Sequence, residues 1–326
     1  MSSDRGLPVL DVAYVETDLD VLLNDDGVLA VLGFGAAAPA RSDPRYLRVG
    51  LDPMDETSVF EVWRVPGPVD HGRDGRVRWA ASDDYCFGAI ELAEADHADL
   101  AAATEAAYTE LARFTQSRRW PHLLRIWNYL AAINEGEGDD ERYRYFCTGR
   151  SAGMRSVLGR GFSAASAIGR SDGEPVLQVY WLAAREAGVA VENPRQVSAW
   201  RYPRAYGPTS PTFARAMRGP CATPQLHISG TAAVVGHQSR HDGDLAAQID
   251  ETFANLDSLL ASAGNLSGFG AGSVLKAYVR RREDLATVAA ILRQRLPDTA
   301  KRLILLGDIC RVELLVELDG VHTADA

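Results

Sequence analysis

One stretch of the chain is written twice, and that repeat narrows what it can fold into more than any other feature. Asp99-Leu-Ala-Ala-Ala-Thr-Glu-Ala-Ala-Tyr-Thr-Glu-Leu111 aligns without gaps on Asp244-Leu-Ala-Ala-Gln-Ile-Asp-Glu-Thr-Phe-Ala-Asn-Leu256. Identities fall at the opening Asp-Leu-Ala-Ala and the closing Leu, and Tyr108 stands opposite Phe253. Leu100, Ala107, Leu111 and Phe114 share one helical face, as do Leu245, Ile249, Phe253 and Leu256, so both segments predict amphipathic helices. Asp99 and Asp244 stand where an N-cap acid belongs.

The flanks repeat as well. Tyr85–Leu92 and Leu226–Val235 read as strands before the two helices, and Leu123–Ile133 and Val274–Val279 as strands after them. The second copy continues through a helix at Asp284–Leu296 and two closing strands, Arg302–Leu306 and Arg311–Leu318. Strand, helix, strand, helix, strand is an α+β module. The expectation is two such domains, residues 1–150 and 151–326, with helices packed on one side of mixed sheets. The functional site is expected near residues 142–218, where the domains meet. The first 80 residues show only strand-like pieces.

Composition closes several function classes. With 326 residues, 46% hydrophobic and 24% charged, the chain has an ordinary globular balance and enough length for a large core. A net charge of −10 opposes general binding to nucleic acid or an anionic membrane. No apolar run approaches the ~20 residues of a membrane helix. Cys86, Cys147, Cys221 and Cys310 are scattered, which fits reduced thiols. The opening residues lack an apolar signal core, so a cytoplasmic location is expected. His237 and His241 have helical metal-pair spacing, but a loop-like sequence separates them and no third ligand is near, so no metal is expected. Gly33-Phe-Gly35 does not complete a dinucleotide fingerprint, and no P-loop or GxSxG occurs. No cofactor is expected.

What remains is arginine, tyrosine and one misplaced acid. If Tyr202-Pro-Arg-Ala-Tyr206 is extended, as Pro203 favours for Tyr202, then Tyr202, Arg204 and Tyr206 project on one side. Arg142 and Arg144 share that alternation, with Arg150 and Arg215 further on. Guanidinium forks match the two oxygens of a carboxylate, although a solvated basic face or structural ion pairs use the same residues. Glu317 interrupts Leu314-Leu-Val-Glu-Leu318, a run otherwise fit for a buried strand. Burial there raises a carboxyl pKa toward neutrality, as a general acid requires; a water-facing strand end is the alternative.

Ile228-Ser-Gly-Thr-Ala232, Gly243-Asp-Leu-Ala-Ala-Gln248, Asn255-Leu256 before Ala263-Gly264, and Cys310-Arg-Val-Glu-Leu-Leu-Val-Glu-Leu318 resemble the RidA/YjgF family (a chorismate-mutase-like α+β fold) in order and spacing. Trp127-Asn-Tyr129, Arg142–Arg150, Ser198–Pro208 and Ser210–Arg215 are similar to signature stretches of the chorismatases, a doubled version of that fold. The resemblance implies cleavage of chorismate to pyruvate and a ring acid. It implies that Glu317 protonates the enolpyruvyl methylene, and that Arg150, Arg204 and Arg215, with Arg144 and Tyr202, hold the substrate. Cys310 and Gly230 resemble the branch that forms 3-hydroxybenzoate. Hydrolysis to a dihydroxycyclohexadiene acid, a 4-hydroxybenzoate product, imine hydrolysis and non-catalytic binding are the competing readings. The expected partner is the small molecule alone, and the expected state a monomer. Cys310 and Glu317 are separated by an odd number of residues, so one regular strand would point them to opposite faces; Cys310 is expected in a preceding turn or beyond a bulge.

Overall fold

The computed structural model describes residues 6–54, 59–155, 161–264 and 266–324. The first strands are β1 (Asp11–Val15), β2 (Val28–Phe34), β3 (Tyr46–Val49) and β4 (Phe60–Arg64), with a short helix α1 (Leu19–Leu23) after β1. Next come β5 (Asp70–Asp74), β6 (Val77–Ala81), β7 (Tyr85–Ala93), α2 (Leu100–Gln116), β8 (His122–Leu130), α3 (Arg142–Gly153), β9 (Ala164–Gly169) and β10 (Val176–Ala184). The rest comprises β11 (Val189–Val191), β12 (Ala216–Arg218), β13 (Gln225–Thr231), β14 (Val234–Val235), β15 (Gln238–Ser239), α4 (Leu245–Ser262), β16 (Ser273–Val279), α5 (Leu285–Arg295), β17 (Lys301–Leu306), β18 (Asp308–Ile309) and β19 (Val316–Thr323).

The repeated helices form as their sequence dictates. Asp99 accepts a hydrogen bond from the Ala102 backbone N–H, and Asp244 from that of Ala247, so each acid caps its helix. The apolar stripes of α2 and α4 are buried, each against its own sheet. Truncating a buried stripe residue such as Leu111 or Leu256 should cost ~2–5 kcal/mol.

The sheets repeat in full. The second module contains the order β7-β10-β8-β9 and the third β13-β19-β16-β17, with β8 parallel to β9 and β16 parallel to β17. The first strands follow the same plan, β1-β4-β2-β3 with β2 parallel to β3. The α+β pseudo-repeat is therefore present, and the uninformative first 80 residues hold a third, stripped-down copy without a helix between its parallel strands. The boundary expected at residue 150 falls inside α3, and β9 and β10 complete the second module's sheet. The three sheets enclose one core, to which all three modules contribute, among others through Leu32, Trp127, Tyr180 and Tyr278.

Two local expectations need correcting. The closing strand begins at Val316, not Arg311, and Cys310 lies in the bend between β18 and β19, which removes the parity conflict with Glu317. Residues 202–206 are not a regular extended strand: Arg204–Tyr206 forms a short 3-10 turn, and Arg142 and Arg144 lie on helix α3. Pro203 constrains the residue before it, and Tyr202 is extended (φ −62°, ψ 140°), but the chain tightens immediately afterwards.

Candidate active site

The second and third modules meet along β9, whose Ala165 backbone N–H donates to Ser229 Oγ at 2.9 Å, next to the register shift of β13 that spans Gly230. Between them lies a cavity of about 250 Å3, continuous in its lining with a deeper recess beneath α3; Glu317, Gly230 and Cys310 line both.

Glu317 is the second residue of β19 and pairs across the ladder with Tyr278. Its neighbours Val316 and Leu318 are buried on the opposite face, and Glu317 itself is only 5% exposed. Among the described residues no hydrogen bond reaches its carboxyl group. Burial, aided by the like charge of Asp319 two residues on, pushes its pKa up to about 8 against the opposing pull of Arg125, Arg215 and Arg280. The group is therefore protonated at neutral pH and faces an enclosed space, which is the state a general acid needs.

Gly230 makes that position available. A Cβ on residue 230 would lie 1.9 Å from Glu317 Oε1 and 3.1 Å from Ser166 Oγ. Glycine here serves close approach: any side chain would displace the carboxyl group from its seat.

Asp319 lies on the same strand face and is fully buried. Its Oδ2 accepts from Arg125 Nη2 (2.9 Å), Trp127 Nε1 (3.1 Å), Ser166 Oγ (2.7 Å) and Tyr278 Oη (2.9 Å). Arg125, Trp127 and Ser166 come from the second module, so the network ties that module to the strand carrying the acid. Nothing in the repeat pointed to it. The available signal was the one that exposed Glu317: Arg125 and Asp319 are also charges inside apolar strands.

The expected arginines separate sharply. Arg150 lies near the end of α3, is 4% exposed, and leaves Nε and Nη2 without a hydrogen-bond partner among the described residues. Its guanidinium sits 5.3 Å over the Tyr108 ring and lines the deeper recess. A buried cation left with open donors is costly unless an anion completes it. Arg215 is likewise buried; Nη2 donates to Val197 O and to Tyr202 Oη, both at 2.7 Å, while Nε stays open. Tyr202 is thus placed in the cavity wall as expected. Arg144 stands at the rim, bonded to Glu141 at 2.9 Å. Arg204 does not line the cavity: it is exposed and forms a two-point pair with Asp139 (2.8 Å for Nη1–Oδ1), the structural ion pair its residue type also allowed.

Arg311 lines the cavity where Arg204 does not. It stacks 4.2 Å from the Tyr206 ring centroid and 5.1 Å from that of Tyr202, and its Nη1 donates to His237 O at 2.8 Å. The Cys310 thiol is pushed up to about 12 by burial and then by the Glu317 charge, so it stays neutral near pH 7. It can donate a weak hydrogen bond but does not act as a thiolate.

The site thus brings a carboxyl group with a raised pKa together with buried guanidinium donors, one from each of two modules, an arrangement able to hold an anion and offer it a proton. A family model described as "Chorismatase FkbO/Hyg5-like, N-terminal" matches residues 61–183. A chorismatase of Streptomyces hygroscopicus is 38% identical over 279 residues, covering 82% of this chain and 80% of its own. A 3-hydroxybenzoate synthase of the same species is 36% identical over 278 residues, covering 80% of each. The crystal structure of a chorismatase superposes with a TM-score of 0.85 at 34% identity, covering 97% of this chain and 99% of that one. The chain belongs to the chorismatase family.

Proposed function

We propose that this protein converts chorismate to 3-hydroxybenzoate and pyruvate. The observation that carries the reading is Glu317, protonated at neutral pH and seated against Gly230 in a cavity that Arg150 and Arg215 approach from different modules. Two carboxylates on one small substrate match two guanidinium groups with open donors.

In this mechanism the Glu317 O–H protonates the methylene carbon of the enolpyruvyl ether, leaving an oxocarbenium centre at the ether carbon. The neighbouring ring hydroxyl oxygen attacks the ring carbon that carries the ether. That carbon–oxygen bond breaks, its electron pair completes the ketone of pyruvate, and the hydroxyl proton returns to Glu317. The resulting epoxide opens at its other carbon–oxygen bond, the carbon keeping the oxygen releases its proton toward the alkoxide, and the C–H electron pair enters the ring π-system to complete the aromatic ring. The alkoxide takes up one proton and the phenol forms. No water is consumed. The acid regains its proton within the cycle, and an enclosed cavity favours the internal hydroxyl over solvent.

The neutral Cys310 thiol is a poor base, so its role in this reading is to fill the wall beside Glu317 and exclude water, with Gly230 leaving the acid its position. Similarity to a 3-hydroxybenzoate synthase supports the aromatic product, and similarity to plain chorismatases supports the coarser reaction. Proton NMR of the products after chorismate turnover tests both levels. An aromatic acid equimolar with pyruvate is expected; a diene diol with pyruvate sinks the product assignment, and no pyruvate sinks the reaction.

A further inference from the structure

The register of the sheets shows that the active cleft has a counterpart. In the six-rung parallel ladders, Tyr129 and Tyr278 occupy the same rung, second from the end. Opposite Tyr278 stands Glu317; opposite Tyr129 stands Gln178. Two strands further out, Ala216 pairs Ile228 on the rung of Gly320 and Leu275, and Trp79 pairs Gly88 on the rung of Trp181 and Ile126. Those rungs are equivalent, so Arg78, one residue before Trp79, holds the position of Arg215, one residue before Ala216. The second module presents this face to the first module's β3, as the third presents its own to β9.

Between the first and second modules lies a cavity of about 600 Å3, lined among others by Arg48, Arg78, Arg170, Glu91 and Gln178. Arg78 is buried; it donates to Tyr46 O at 3.1 Å and pairs with Glu91. Arg170 pairs with Asp172, and Arg41 at the rim with Asp20. Arg48 is exposed and has no ion pair among the described residues, while Glu174 is an exposed carboxylate at the edge. Gln178 is spent as a strut: Nε2 donates to Arg48 O (2.8 Å) and Glu91 Oε1 (2.7 Å), and Oε1 accepts from the Gly50 N–H (3.1 Å).

We propose that this cleft is a second binding site, which holds a small monocarboxylate on Arg48 and Arg78 and does not turn it over. The geometry keeps the guanidinium of the active cleft and replaces its acid by an amide that carries no acidic proton. Arg48 supplies the free fork, and Val49, Val176 and Ala36 supply an apolar wall for the body of the ligand. The non-catalytic character rests on the reading of Glu317 as the acid above; the binding of a carboxylate on Arg48 does not.

Equilibrium dialysis of the full chain with radiolabelled pyruvate tests it. The expected affinity is on the order of 1 mM, appropriate to a few solvent-reachable charged contacts. Arg48→Ala, which disturbs no ion pair of the fold, should remove one bound equivalent and leave chorismate turnover unchanged. Any equivalent held in the active cleft should survive that change and be lost in Arg215→Ala instead. Pyruvate binding that is absent in the wild type, or unaltered by Arg48→Ala, overturns the proposal. Inorganic phosphate at equal concentration should not displace the Arg48-dependent equivalent; equal displacement would make this a general anion site and end the carboxylate assignment.

Discussion

Gln178 and Glu317 stand on equivalent rungs of two modules with one strand order, yet only the second has an acidic proton to give. Around Gln178 every amide hydrogen bond is used in holding neighbouring segments together. Around Glu317 a glycine and a register shift in β13 clear the space, no hydrogen bond among the described residues engages the carboxyl group, and the buried Arg150 lines the same recess. The fold builds the same kind of cleft twice; side-chain choice at a few rungs leaves one without an acid and gives the other a carboxyl group that can donate a proton.

Exchanging these residues gives the largest expected effect. Glu317→Gln should lower chorismate turnover by ~10²- to 10⁴-fold while ligand binding persists, and Gln178→Glu in that background should not rescue it. Rescue measured as pyruvate release would show that the two clefts are catalytically interchangeable.

Asp319→Asn probes why the acid side differs. It leaves Arg125 buried without its charge partner, so chemical denaturation should show a loss of ~3–5 kcal/mol. It also removes the like charge beside Glu317, so the alkaline limb of kcat/KM should move to lower pH. An unmoved limb in protein that remains folded would remove Asp319 from the account of the acid.

Arg150→Ala and Arg204→Ala compare a buried guanidinium with an exposed one. Losing a charged hydrogen bond of ~1.5–3 kcal/mol to substrate corresponds to a drop of about ten- to a hundredfold or more in kcat/KM for Arg150. Arg204→Ala should give no resolvable change, because an exposed ion pair contributes only ~0–1 kcal/mol. Equal losses for both would contradict the placement of Arg204 outside the cavity.

The remaining effect is on stability against pH. The carboxyl group of Glu317 has a folded-state pKa raised to about 8. Its contribution to stability is fully present below the unfolded value and is lost as pH rises through the folded one. Activity should fall along the same upper limb as the acid loses its proton. Glu317→Gln abolishes that titration, so the Tm of the variant should gain on that of the wild type as pH rises from the ordinary carboxyl range to about 8 and then level off; parallel Tm curves across that range would mean that Glu317 is not the buried acid described here.

Much of this was readable without coordinates where the signal is local. Periodicity and a capping acid located α2 and α4, because an amphipathic stripe and an N-cap are properties of a few adjacent residues. A carboxyl group in an apolar strand marked Glu317, and the same rule, carried through, would have marked Arg125, Asp319 and Lys276, which are also buried. Sequence could not separate Arg204 from the chemically equal arginines of the cavity, since its placement depends on Asp139, 65 residues away in the chain. The first module escaped notice because its helix is five residues long and the helix between its parallel strands is absent, leaving no repeat in the sequence.

The sequence by itself determined the α+β repeat and the family and singled out Glu317 as the candidate acid, since each rests on residue types at short spacing. Tertiary structure decided which arginines lose their water, that Gly230 is the seat of the Glu317 carboxyl group, and that burial, with Asp319 nearby, raises the pKa of that group. Those outcomes depend on burial and on distances between segments far apart in the chain, and desolvation and Coulomb energies are fixed only when the modules close around them.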